Sequence, residues 1–178
     1  IAMTPLTSGA AASRAAVAHR DVGSALKWTA IGLKSRADVA RGRLPTMMPL
    51  VAHPGEPGAL ALDGAYESYT ALAGPTWRNE VDSAVGLQIA GIRSAEAARQ
   101  LHCPALFQIA DFDRYVPADS VAKTAVLARG VVHHYPCDHF DVWPGHDWFE
   151  KAAADQVAFL SRALSTSSSP DRLKAPQR

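Results

Sequence analysis

Cysteine is scarce in this chain: two residues, Cys103 and Cys137, among 178, and no C-x-x-C pair. That excludes the disulfide framework of small secreted domains and predicts a reduced, cytoplasmic setting. Charge of one sign is missing too. Eighteen Lys and Arg stand against seventeen Asp and Glu, a formal net charge of +1. Neither a nucleic-acid surface nor a polybasic membrane anchor is expected from that balance. No apolar run approaches the roughly 20 residues needed to span a bilayer, and the longest, such as Ala105 to Ala110, are strand-sized. There is no internal repeat at periods of about 20–50 residues. An initiator Met and a secretory signal are also lacking: Ile1-Ala2-Met3-Thr4-Pro5 reads as the tail of a strand entering a loop. The expectation is that upstream sequence is missing. What is present, 48% hydrophobic and 20% charged residues, suits the core of one globular domain, with or without an appendage.

Four stretches differ in composition. Residues 1–13 are read as the end of a core strand and a loop. Residues 14–101 are mainly helical, with Ser24 expected to cap a helix in which Leu26, Ala30, Leu33, Ala37 and Ala40 recur at helical spacing. A run from Leu44 to Gly58, rich in Pro and Gly, interrupts them. Helical patterning returns at Tyr66–Leu72 and Trp77–Ile89, and Ser94 is placed as the cap of a short helix ending near Leu101. From residue 102 to 164 the pattern changes to strand, helix, strand, helix. Ala105–Ala110 suits a buried strand, and Asp119 is expected to cap a helix that Gly130 ends. Val131–Tyr135 is the second strand, and a last helix opens near Asp147 with Glu150 three residues on, Phe149, Ala153, Val157, Leu160 and Leu164 lining one face of it. Residues 165–178 are Ser-, Pro- and charge-rich, which predicts a disordered tail.

Such an order is a parallel α/β unit, in which function sits in loops beyond the carboxyl ends of strands. Those loops hold Asp113 and His139. A carboxylate there can accept the Nδ1–H of the imidazole, fix its tautomer and stabilise the imidazolium formed when Nε2 takes a proton.

The residues that carry this chemistry resemble a known family. Cys103-Pro104 through Ala110, followed by Asp113-Arg114-Tyr115-Val116-Pro117, resembles the penultimate core strand and D-x-x-V-P loop of the serine α/β-hydrolases. Ala110 stands where that family usually has Gly. Pro136-Cys137-Asp138-His139-Phe140 resembles the loop after the last strand, with Asp138 in place of the commoner Gly. The resemblance implies an α/β fold, a partial α/β-hydrolase with a mostly parallel sheet, residues 14–101 being an inserted helical cap. It also implies that Asp113 is the catalytic acid and His139 the catalytic histidine, that no cofactor or metal is used, and that the substrate is a small ester, thioester or amide. No G-x-S-x-G occurs anywhere in the sequence. Ser8 and Ser13 lie in no strand–elbow–helix context. A fragment without its nucleophile is therefore expected, silent on its own.

Other readings remain open at this stage. The chain can be a non-catalytic binding or dimerisation module, an oligomer covering its own sheet edge. His133, His134, Cys137, Asp138, His139, Asp141, His146 and Asp147 are residue types that bind zinc, but adjacent strand positions such as His133 and His134 point to opposite faces. Cys137 reads as a small buried filler rather than a reactive thiol. Trp28, Trp77, Trp143 and Trp148, with Met47 and Met48, read as packing residues first and as the lining of an acyl pocket second. Lys34, Arg36, Arg41 and Arg43 read as a complement to a helix dipole.

Overall fold

A computed structural model describes residues 1–18 and 22–165, without the side chains of Val22 and Ser24. The chain opens with β1 (Ala2–Met3), α1 (Gly9–Ala18) and α2 (Val22–Ala40). Next come β2 (Met47–Met48), α3 (Ala65–Leu72), β3 (Val81–Asp82), α4 (Val85–Ile89) and α5 (Ser94–Arg99). Then follow β4 (Leu106–Ala110), α6 (Ala118–Leu127), β5 (Val131–Tyr135) and α7 (Phe149–Ser165).

β1, β4 and β5 form a parallel sheet with β4 in the middle, and β2 and β3 form a separate antiparallel ribbon. Every residue of β4 is buried, as suits a strand covered on both faces. Phe107 and Ile109 pack on one side against Val121 and Ala125 of α6 and Ala98 of α5. On the other side Ala110 and Tyr135 pack against Ala152 of α7. Gln108, fully buried, uses Nε2 on the Tyr135 hydroxyl (2.7 Å) and the Ala152 carbonyl (2.9 Å), while its Oε1 accepts from Gln156 (2.7 Å). A polar residue survives in the central strand because each of these bonds offsets its desolvation.

Several boundaries differ from expectation. α6 starts at Ala118 after Pro117, so Asp119 lies in its first turn and pairs with Lys123 at 2.9 Å rather than capping it. The left-handed residue that ends α6 is Arg129 (φ 52°), not Gly130. Gly130 is needed for space: a Cβ there would lie 2.7 Å from the Phe107 ring. Trp77–Ile89 is not one helix but a turn, β3 and the short α4. Ser94 begins α5 and donates to the Leu6 carbonyl instead of capping. α1 begins at Gly9, inside the stretch read as strand and loop. Ser24 falls within α2, and its side chain lies outside the described residues, as do residues 166–178 of the expected tail.

Two helices present different faces from those their apolar spacing picks out. In α2, Leu26 and Leu33 are exposed while Gly32, Ser35 and Asp38 are buried. Gly32 lies so close to the Ser83 carbonyl that a Cβ would sit 2.8 Å from it, and the Ser35 hydroxyl donates to Asp82 at 2.7 Å. Close approach and a hydrogen bond, not hydrophobic area, select that face. In α7, Val157, Leu160 and Leu164 are exposed, whereas Ala152 and Phe159 are buried. Of the basic cluster, Arg41 bonds the Ala37 carbonyl at 3.1 Å, but Lys34 and Arg43 pair with Asp38. Among the described residues no helix is long and apolar enough to cross a membrane.

Candidate active site

Past the carboxyl ends of β4 and β5 the parallel ladder continues for two more bonds, Asp111 N to the Tyr135 carbonyl (2.9 Å) and Phe112 N to the Cys137 carbonyl (3.0 Å). The two loops therefore leave the sheet side by side. This brings Asp113 and His139 together: His139 Nδ1 lies 2.7 Å from Asp113 Oδ2.

The loop sequence holds Asp113 through its other oxygen. Oδ1 accepts from the backbone N–H of Tyr115 (2.8 Å) and of Val116 (2.7 Å), the local turn that Asp side chains favour. The carboxylate is 2% exposed and carries three hydrogen bonds in total, each assisted by its charge. A carboxylate only accepts, so Nδ1 of His139 is the donor, and in the neutral ring the lone pair is on Nε2. The ring plane is fixed by edge-on contacts with Phe140 (centroids 4.8 Å apart) and Tyr115 (5.5 Å), with Trp143 tilted at 6.4 Å. Tyr115 is itself tied down, its hydroxyl accepting from Leu62 N at 2.9 Å. His139 is 16% exposed.

Other predicted site residues are dispersed. Asp111 pairs with His134 at 2.6 Å on the surface. His133 points the other way, to Asp155 of α7 at 3.0 Å, as neighbouring strand residues must. Burial alone would raise the Asp155 carboxyl, but hydrogen bonds from Lys151, His133 and Tyr135 outweigh it and bring the carboxyl down to about 2. Burial, with Asp155 beside it, pushes the Tyr135 hydroxyl up to about 12. His146 meets the Ser68 hydroxyl at 3.1 Å, and Ser68, 3% exposed, lies in α3 rather than at a strand-to-helix elbow. Among the described residues no group of three or more His, Cys, Asp or Glu is placed to hold a metal ion. Cys137 is buried, and burial together with Asp141 and Asp138 pushes its thiol up to about 12, which removes it as a thiolate nucleophile. Ser8 lies at an isolated bridge to Arg93 and accepts from Ala11 N, and Ser13 lies within α1.

The four tryptophans and two methionines divide, and Trp28 is half-buried in α2. Trp77 and Trp143 join Tyr69 and Phe140 in one cluster beside His139, Trp148 packs under β5, and Met47 is exposed while Met48 is buried. A cavity of about 300 Å³ adjoins this cluster, lined by Asp63, Gly64, Arg114, Asp138, Phe140 and His146 among others. A larger one of about 670 Å³ lies between α1, α5 and the start of α6 and is lined by neither Asp113 nor His139.

The sequence reading missed Arg114 and Asp138 as a pair. Arg114 donates from N (3.0 Å) and Nε to the two oxygens of Asp138, and from Nη2 to the Asp63 carbonyl (3.1 Å). The signal was present, since opposite charges flank Asp113 and His139 in the chain.

No protein-family model and no curated protein matches the sequence. Solved structures do. DcsB, solved in complex with a substrate analogue, is 18% identical with a TM-score of 0.58, over 82% of this chain and 53% of its own. GrgF, an α/β hydrolase from Penicillium sp. sh18, is 18% identical with a TM-score of 0.56, over 79% of this chain and 50% of its own. The fold is that of an α/β hydrolase, and the chain spans about half the length of both neighbours.

Proposed function

We propose that the Asp113–His139 pair is the acid and histidine of a serine hydrolase acting on small esters, thioesters or amides. The observation that carries this reading is the buried bond from His139 Nδ1 to an Asp113 carboxylate already held by two backbone amides. In it, Nε2 takes the proton of a serine hydroxyl as that oxygen attacks the substrate carbonyl, then returns the proton to the leaving group. Asp113 keeps the imidazole oriented and stabilises its cationic form without itself becoming protonated. The serine and the oxyanion donors are assigned to sequence beyond these residues. On this reading residues 14–101 form a cap over the site, and Tyr69, Trp77 and Trp143 offer an apolar wall near the histidine.

Ester turnover tests it. The protein expressed from its complete reading frame should hydrolyse a short-chain p-nitrophenyl ester, and His139→Ala should lower kcat by about 10⁶-fold. Residues 1–178 alone should show none, and turnover by that chain abolished by His139→Ala would contradict the need for an outside nucleophile.

A further inference from the structure

The pair is not held by its own hydrogen bond alone. Asp138, next to His139 in the chain, turns one oxygen onto two backbone N–H groups: that of His139 (2.8 Å) and that of Arg114, the residue after Asp113 (3.0 Å). Its other oxygen takes the Arg114 Nε–H. Its own N–H is fixed by Asp141 Oδ2 at 2.8 Å. Arg114 reaches on to Asp63, bonding its carbonyl at 3.1 Å and lying 3.5 Å from its carboxylate. One carboxylate thus joins the loop after β4 to the loop after β5 at the residues adjoining Asp113 and His139, and the guanidinium ties both to the segment just before α3.

We infer that Asp138 is a positioning residue which, through the backbone N–H groups of Arg114 and His139, sets the distance and orientation of the Asp113 carboxylate and the His139 imidazole. The inference deepens the hydrolase reading and rests on it for its kinetic consequence. An exposed ion pair by itself contributes little, and Arg114 and Asp138 are 35% and 24% exposed. The effect comes instead from the backbone bonds to Asp138 Oδ1, because a displacement of either loop by about 1 Å breaks the near-attack geometry and costs on the order of 10²-fold in rate. Asn at position 138 keeps an oxygen for both amides, whereas Ala removes it.

The test uses the protein from its complete reading frame, its histidines labelled with ¹⁵N, and follows the slowly exchanging Nδ1–H of His139 beside kcat and KM for a p-nitrophenyl ester. Asp138→Ala should lose the protected Nδ1–H signal and about 10–100-fold of kcat, with KM changed less than about twofold. Asp138→Asn should retain the signal and stay within about threefold of the parent in kcat. Leu106→Ala, a buried change at the amino end of β4, opposite the end from which the two loops leave, serves as the destabilised control and should keep the signal. Folded Asp138→Ala protein with its Nδ1–H and kcat unchanged overturns the inference, as does absence of a protected Nδ1–H in the parent. If Asp113→Asn leaves ester turnover untouched, the hydrolase reading fails. The Nδ1–H signal still decides the clamp in that case: its loss in Asp138→Ala upholds it, its persistence overturns it.

Discussion

Two Asp–His pairs stand at the same edge of one sheet, and their difference separates the proposed site from a surface contact. Asp111–His134 and Asp113–His139 share residue types, chain order and a short Nδ1-to-oxygen distance, 2.6 and 2.7 Å. Their surroundings differ. Asp111 and His134 have side chains 36% and 53% exposed, against 2% and 16% for Asp113 and His139. In the exposed pair water competes for both partners and salt screens the charge. The buried carboxylate has its second oxygen on two backbone amides, and the imidazole is boxed by Tyr115, Phe140 and Trp143. Hydrogen-bond length therefore says little about function here, while burial and fixed orientation say much.

Substitutions sharpen the contrast. The largest effect should be kinetic: Asp113→Asn should lower ester kcat by about 10³–10⁴-fold, while Asp111→Asn stays within about twofold. Parallel kinetics on the two variants measures it, and equal losses would erase the distinction. Stability should follow the same order. Asp113→Ala strands the Tyr115 and Val116 amides and should cost about 2–4 kcal/mol by urea denaturation, whereas Asp111→Ala should cost less than about 1 kcal/mol. A third His–Asp pair, His133–Asp155, gives a smaller, pH-dependent effect. The Asp155 carboxyl lies at about 2 in the folded protein against an ordinary 3.8. Its contribution is thus complete above 3.8 and is lost as pH falls through 2. Asp155→Asn should flatten the stability-versus-pH curve between about pH 4 and pH 2, followed by thermal denaturation. An unchanged acid limb would contradict the assignment.

Residues 102–164 were legible because local and global signals agree there. A compact apolar run, a helix and a second short run opening on Val131-Val132 become β4, α6 and β5, and the loops after the two strands hold Asp113 and His139. The resemblance that named Asp113 over Asp111 rested on the D-x-x-V-P spacing, and the structure shows the turn that this spacing makes around Oδ1. Residues 14–101 were less legible. Leu26 and Leu33 of α2 repeat correctly for a helix, yet the face that packs is chosen by Gly32 and Ser35, whose small size and hydroxyl leave no hydrophobic signal. Val157, Leu160 and Leu164 of α7 misled in the same way, because the polar network of Gln108, Tyr135 and Asp155 selects the side that meets the sheet. Periodicity reports that a helix exists; which side packs depends on partners far away in sequence. Asp138 shows the converse. In the sequence it is only a departure from the commoner Gly, and in the fold its side chain bonds two loops that the chain alone does not bring together.

The central claim is that His139 Nε2 serves as base to a serine. The most direct measurement is labelling of the complete protein with a fluorophosphonate, read by intact mass and peptide mapping, beside the His139→Ala variant. The account predicts one modified serine, lying outside residues 1–178, and loss of labelling in the variant. A folded protein that takes no label, or whose labelling is indifferent to His139→Ala, would contradict it.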